Sequence, residues 1–526
     1  MSENPNRIDP IVLDPTVAAF APDEGVGALG RTHFIGIGGA GMSVLAEMLH
    51  EQGVAVDGSD REPGAKTDRL RALGVDVRFG QRAENVAGAD TVVYSSAIKA
   101  DNPEIVAAAA SGARIVHRSD ILALLMHGRR AVTVAGAHGK TTTSSLLAHI
   151  LVHAGHGALA DPSYAIGGSI QAPDGGTLDG GHAGRGDVLV AEADESDGSF
   201  GKYRPWIAVV TNAEADHLDH YGTGERYRAA FVDHVGHARG HIVMCVDDEG
   251  GLAVLRALDA GTAARVVAYG TAGRGGLGDL NGAAYVHIEA ESESAGSGTE
   301  RFTLRIPAGL FGDPDDSGDT LLPVELAIPG LHNARNAAAA IIAAGLLGMP
   351  PADAAAAAAT FLGAARRFDI RGEANGVTVI DDYAHHPTEI AALLSAARRR
   401  YPQAGIHVLF QPHLFSRTRI FADEFARALS LADDVIVTGV FPARERQEDF
   451  PGVSAATIAD AAAACAPEGG RAPVAAVEDM QTAAQMMALR ARPGDVVLTV
   501  GAGDINQMAP VLLTALTAHG GTGSRR

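Results

Sequence analysis

The chain has 526 residues, 46% hydrophobic and 20% charged, and its 42 Lys and Arg against 63 Asp and Glu leave a net charge of −21. That length is beyond one ordinary core and implies about three domains, while the acidic balance excludes a nucleic-acid scaffold, which needs basic surface against phosphates. The two cysteines, Cys245 and Cys465, show neither disulfide-framework nor metal-ligand spacing, as expected in a reducing compartment.

Residues 1–30 are polar and proline-containing, with no cationic start ahead of an apolar core; they read as a flexible extension without a secretory signal. The most apolar run, residues 337–349, is too short for a bilayer and stops at Pro350-Pro351. A soluble, cytoplasmic protein without membrane insertion is expected.

The first motif begins at Thr32. A short apolar strand enters Gly36-x-Gly38-x-x-Gly41, with Gly39 inside the turn, and a helix follows from Met42 to His50. Glycines there let a diphosphate approach the N–H groups of the helix start. A second strand, residues 54–60, ends in Ser59 and Asp60, about 20 positions on, where a ribose hydroxyl is usually read. NAD and a nucleotide-sugar pyrophosphate both suit this pattern, and a tight turn without ligand is the plainer alternative. Ser95 and Ser96 end the strand that starts at Thr91, as pocket lining or as a simple strand exit.

The organising stretch is Val132-Thr-Val-Ala-Gly-Ala-His-Gly-Lys-Thr-Thr-Thr: apolar strand, glycine turn, helix. Gly136, Ala137, His138 and Gly139 form a shortened phosphate loop. Lys140 can place a charge on β- and γ-phosphates, and Thr141 or Thr142 can ligate Mg²⁺. The usual spacing has a glycine where Val134 stands, so a helix start that happens to carry Gly-Lys-Thr is the competing reading.

Strand ends then deliver chemistry repeatedly, as in open α/β sheets. After a glycine-rich loop at residues 171–186, the strand from Asp187 ends in Glu192-Ala-Asp-Glu-Ser-Asp197; Glu192 is the expected Mg²⁺ ligand, and Asp194, Glu195 and Asp197 suit a solvated loop equally well. The strand from Trp206 leads to His217 beside Asp216, a second metal or phosphate-proximal candidate. Residues 271–301 read as a surface hairpin or insertion. Asn333 and Asn336 lie one turn apart on an alanine-rich helix and can reach one ligand, with capping as the alternative for Asn333. Arg366-Arg367 marks a junction. Beyond it, one strand ends in Asp382, Tyr383, His385 and His386, and another in His413 and Arg417. The strand–helix alternation predicts α/β architecture with mainly parallel sheets.

These motifs, in this order from Thr32 to Gly503, closely resemble those of the Mur ligases of bacterial cell-wall synthesis, and Ile35-Gly-Ile-Gly-Gly-Ala-Gly-Met-Ser points to the alanine-adding branch. The resemblance implies three domains, each around a mainly parallel sheet: a Rossmann-like UDP-sugar domain (31–129), a P-loop-type central ATP/Mg²⁺ domain (130–364) and a Rossmann-like amino-acid domain (365–526), behind the 1–30 extension. It implies ATP-dependent joining of L-alanine to the lactyl carboxylate of UDP-N-acetylmuramate through an acyl phosphate. Carried onto this sequence, Gly36, Gly38, Gly39, Gly41, Ser59, Asp60, Ser95 and Ser96 would bind the UDP-sugar. Residues Gly136 to Thr142, Asn333, Asn336 and Arg367 would bind ATP. Thr141, Glu192 and His217 would hold the metal. Lys140, Arg367, Asp382, His413 and Arg417 would act in catalysis, with Tyr383, His386, His413 and Arg417 around the amino acid.

Two departures stand out. Leu414 replaces an arginine found in many relatives, and residues 225–231 offer no lysine to become the modified metal-bridging residue of other branches. The protein is expected as a monomer or homodimer. Another amino-acid or peptide ligase of the same build is the nearest rival, ahead of a nicotinamide-dependent dehydrogenase, which leaves the second phosphate loop unexplained, and of a UDP-sugar sensor, which has no need of Lys140, Glu192 and Arg367.

Overall fold

The structure is a computed structural model that describes residues 11–21, 23–171, 177–178, 180–290, 299–312, 318–443, 445–465 and 474–520. Three separate sheets carry the fold. The first has five parallel strands in the order Asp76–Phe79, Val56–Asp60, Thr32–Ile35, Thr91–Tyr94, Arg114–His117. The chain enters at the middle strand and winds first one way and then the other, so the glycine loop after Ile35 lies where the strand order reverses. Open sheets leave their ligand crevice at that point.

The second sheet is ten-stranded: Gly181–His182, Ser163–Ala165, Val188–Glu192, Arg130–Ala135, Ile207–Val210, His241–Cys245, Val266–Gly270, Ala284–Ala290, Glu300–Ile306, Thr320–Leu326. Its centre is parallel, and antiparallel pairs close both ends. The strand Arg130–Ala135 sits between those ending at Glu192 and Val210, so the chain beyond both reaches the phosphate loop. Ala284–Ala290 pairs with Glu300–Ile306 as the hairpin expected near residues 271–301, whose positions 291–298 lie outside the described residues. Of the glycine-rich loop at 171–186, positions 172–176 and 179 lie outside them too.

The helix Leu331–Leu346 is apolar on every side from Ala337 to Ala344, and all eight of those residues are fully buried. Such a helix must be covered all round. Alanine's small side chain lets it lie close against the phosphate-loop helix Lys140–Ala154 and against the sheet, in one apolar cluster. This fixes Asn333 and Asn336, in its first two turns, opposite the phosphate loop.

The third sheet has six strands: Asp369–Ala374, Val377–Asp382, Val496–Val500, Ile406–Phe410, Asp434–Val437, Val474–Ala476. Only the first pair is antiparallel. No helix among the described residues is long and apolar enough to cross a membrane.

The expectation of a loose extension before Arg31 is corrected where that stretch is described. Ile11 and Leu13 pack on the first domain, Leu29 is buried, and the Arg114 guanidinium lies 4.7 Å over the Phe20 ring. The Ala19 N–H donates to Asp120 Oδ1 at 3.2 Å, and the same carboxylate takes Lys202 Nζ of the central domain at 2.7 Å. Apolar residues spaced singly along irregular backbone give no periodic signal, which is why the sequence hid this packing.

Candidate active site

The phosphate loop owes its shape to two glycines. Gly136 (φ +138°) and Gly139 (φ +84°) occupy backbone conformations that disfavour a side chain. A Cβ at Gly136 would collide with the Thr211 hydroxyl, and one at Gly139 would stand 2.7 Å from Asn336 Oδ1. The loop is held from behind: Thr211 Oγ1 and Asn212 Nδ2 donate to the His138 carbonyl at 2.6 and 2.7 Å.

Lys140 opens the helix and turns back over the loop. Its Nζ donates to Gly136 O at 2.5 Å and lies 3.1 and 2.9 Å from the two oxygens of Glu195, a fully buried carboxylate. Burial opposes the ammonium charge, but Glu195 and Asp194 outweigh it and raise the pKa, so Lys140 stays cationic. His217 lies 3.6 Å from Glu195 and 3.7 Å from Asp216. Burial again disfavours its charge, yet the bond to Glu195 and the Asp216 charge raise its pKa. Glu192 accepts the Gly167 N–H at 3.0 Å and Ser144 Oγ at 3.5 Å, and burial pushes its carboxyl up. Thr141 therefore stands beside Glu192, whereas the His217 imidazole faces Glu195 and Asp216. The oxygens suit Mg²⁺, and a divalent cation would relieve the cost of ionising the partly buried Glu192.

A cavity of about 330 Å³ opens on the other side. His138, Gly139, Thr142, Asn333, Asn336, Arg367 and Asp382 line it. Two domains thus face each other across it. Asn333 is also tied to its own helix start, Nδ2 donating to Pro329 O at 2.7 Å. Arg367 lies 3.5 Å from Glu389 and 5.3 Å from the Tyr383 ring centre. Asp382 accepts the Phe368 and Ala384 N–H groups at 2.8 Å each, pinning the junction. Burial drives its carboxyl up to about 6 despite Arg367 and those bonds.

The expected amino-acid residues lie beyond this junction. Arg417, buried, places Nη2 3.1 Å from both oxygens of Asp216 in the central domain. Burial disfavours that carboxylate, but Arg417 and His217 hold it well below the usual range. His413 stacks on Phe441, 5.7 Å between ring centres, and meets His385 edge-on at 5.8 Å. Leu414 has φ +71° at the start of the short helix carrying Arg417 and is buried.

The expected UDP-sugar residues divide. Gly36, Gly38 and Gly39 form the turn before the helix Ala40–Glu51, Gly41 stands in its first turn, and Arg118 lies against it: a Cβ at Gly41 would meet its Nη1 at 3.0 Å. Ser96 donates to Asp197 and lies 3.1 Å from His117 Nε2, while Arg118 pairs with Asp194 at 2.6 Å, so this seam joins the first domain to the central one. Ser95, beside it, is half-buried. Ser59 is the correction: it is fully buried and its hydroxyl donates to Glu104 Oε2 at 2.7 Å, inside the network that includes His33 and Asp57. Asp60 accepts the Gly38 and Arg61 N–H groups at 2.8 and 2.7 Å, so it braces the glycine loop, and the acidic residue that suggested ribose readout has a local employment.

Three family models match in chain order: "Mur ligase family, catalytic domain" over residues 31–130, "Mur ligase middle domain" over 134–344 and "Mur ligase, glutamate ligase domain" over 366–503. A UDP-N-acetylmuramate–L-alanine ligase of Bifidobacterium adolescentis is 69% identical over 99% of both chains. The chain belongs to the Mur ligase family. A second such ligase, of Renibacterium salmoninarum, is 46% identical over 94% of this chain and 98% of its own. Among solved structures, a UDP-N-acetylmuramate–alanine ligase of Thermotoga maritima is similar at 29% identity with a TM-score of 0.71, covering 93% of this chain and 99% of that one.

Reading the sequence alone missed several residues of this Mur ligase site. Glu195 is no solvated acid but the buried partner of Lys140. Asp216, Glu389, Arg118 and the cavity-lining Asp247 were not assigned roles; Asp247 pairs with Arg335 at 2.6 Å. Strand-end position was the available signal for Asp247, which follows the strand His241–Cys245.

Proposed function

We infer that this chain joins L-alanine to the lactyl carboxylate of UDP-N-acetylmuramate, converting ATP to ADP and phosphate, for peptidoglycan precursor synthesis. The observation that carries the reading is the cavity where Arg367 of the third domain faces the phosphate loop and Asn336 of the central one. The full-length similarity to UDP-N-acetylmuramate–L-alanine ligases supplies the acceptor and the amino acid.

In this reading ATP lies in the cavity, its adenosine end toward Asn333 and Asn336 and its γ-phosphate toward Lys140 and Arg367. The lactyl carboxylate, presented from the seam beside the glycine loop, attacks the γ-phosphorus; ADP leaves and an acyl phosphate forms. The alanine amine then attacks the acyl carbon, phosphate leaves, and the amine gives up its proton. Lys140 and Arg367 bind the phosphoryl oxygens and offset charge in the transition state. Mg²⁺ held by Thr141, Glu192 and His217 would supply further electrostatic stabilisation. Arg417 and His413, bordered by Tyr383 and His386, hold the amino acid. Domain closure excludes water from the acyl phosphate. We assign the protein to the cytoplasm, where its nucleotide substrates would be.

The test is phosphate release from the purified chain with ATP and Mg²⁺, adding UDP-N-acetylmuramate and L-alanine singly and together. Release that needs both is expected. Turnover with another acid and amine only would overturn the substrate assignment, and UDP-sugar binding without turnover would overturn the activity.

A further inference from the structure

One cluster joins the phosphate loop to the start of a helix in the third domain, and that reaction gives its three side chains no common task. His138, in the middle of the phosphate loop, lies with Nε2 3.2 Å from Glu214 Oε2. His386, at the start of the helix Pro387–Arg400 in the third domain, stacks on it with ring centres 5.9 Å apart and 26° between planes. Its Nδ1 is 4.0 Å from Glu214 Oε1. One donor atom from each residue lies within 4.8 Å of the other two. His386 is 5% exposed, and neither of its ring nitrogens has a hydrogen-bond partner among the described residues; nor does His138 Nδ1. A buried imidazole with both nitrogens unsatisfied is costly unless something else occupies them.

We propose that His138, Glu214 and His386 bind one borderline divalent cation of the Zn²⁺ class, tying the phosphate loop to the third domain. Two imidazoles and a carboxylate, with room left for water, match the donor set such ions take, whereas Mg²⁺ prefers oxygen throughout. Bonds of about 2.0–2.2 Å require the His386 ring to swing toward Glu214. Glu214 is already oriented by Thr388, whose hydroxyl donates to its Oε1 at 2.7 Å. Thr388 is the kind of outer-shell partner that metal-bound carboxylates require. Since His138 and Glu214 line the cavity, the loaded site opposes ATP entry; this last consequence rests on the proposed function, the binding itself does not.

The test titrates Co²⁺ into the full chain and follows its visible absorption. In a thousandfold excess of Mg²⁺, which occupies Thr141, Glu192 and His217, one Co²⁺ per chain is expected, with the intensified bands of a low-coordinate site. His386→Gln and Glu214→Gln should each weaken binding at least about 100-fold, beyond the effect of outer-shell partners. Thr388→Val, which keeps all three ligands, should weaken it about tenfold. Zn²⁺ should slow phosphate release by the wild-type chain, with an apparent affinity that falls as ATP rises. A spectrum no different from free Co²⁺, displacement by equimolar Mg²⁺, or unaltered binding by folded His386→Gln would overturn the proposal. Intact Co²⁺ binding in a chain without ligase turnover would overturn the proposed function and leave the metal site standing.

Discussion

Replacing Lys140 by Met separates two tasks that one side chain performs. The first is structural: Lys140, 17% exposed, is paired with the fully buried Glu195. Breaking such a pair from one side costs about 3–5 kcal/mol, because the remaining charge loses its partner in a poorly solvated place. His217 at 3.6 Å offsets part of this, so a loss near 3 kcal/mol is expected. At about 2–4 °C per kcal/mol for a domain of this size, the melting transition of the central domain should fall by about 6–12 °C. The second task is charge stabilisation of the transferring phosphoryl group, and its removal should lower kcat by at least about 10³-fold. The double variant Lys140→Met/Glu195→Gln leaves no orphaned carboxylate. It should recover most of the lost melting temperature and none of the activity. Thermal melts of both variants and coupled phosphate-release assays measure the two effects separately. If the double variant melts as low as the single one, the ion pair is not what Lys140 contributes to stability. If it regains turnover, Lys140 does not handle the phosphate.

Arg367→Ala should lower kcat at least about 100-fold and leave UDP-sugar affinity within about threefold; an unchanged kcat would remove it from the phosphoryl site. His234 is fully buried, and burial pushes its pKa down to about 4. Because the unfolded imidazole takes its proton near 6.5, this stabilisation is complete above that pH and drains away as pH falls toward 4. His234→Asn should therefore lose about 2 kcal/mol less than the wild type between pH 7 and pH 5, read from urea midpoints. Lys202→Met leaves Asp120, 4% exposed, without its cation and should cost about 3 kcal/mol; an unshifted melt would show that the first seam does not depend on that pair.

Contiguity decided what the sequence could disclose. Gly136 to Thr142 form one local unit between strand and helix, so their geometry can be read within a dozen residues. The place of Glu192 at a strand end was legible because a buried parallel strand must end somewhere, and its acid stands at that end. Lys140–Glu195 and Asp216–Arg417 were hidden, since each joins residues brought together only by sheet order and domain packing. Ser59 was misread for the converse reason. Its position at a strand end is right, but Glu104, from a helix 45 residues on, claims the hydroxyl. No spacing rule announces such a partner.

The ten-stranded sheet has two edges, and they are guarded by different means. Thr320–Leu326 carries Pro323, which has no N–H to offer, and Glu325, paired with Arg301 at 3.0 Å. A strand so interrupted and charged makes a poor template for another chain. The opposite edge, Gly181–His182, has no such residues and lies instead under the helix Ala40–Glu51: Glu51 accepts the Ala183 N–H at 2.7 Å, and Val44 crowds Gly181. That edge is protected only while the first domain is attached. Severing the chain near residue 130 would bare a strand ready to recruit a second molecule, whereas trimming the third domain leaves both guards in place. Dissected fragments of this ligase should therefore differ in solubility according to which end is cut away.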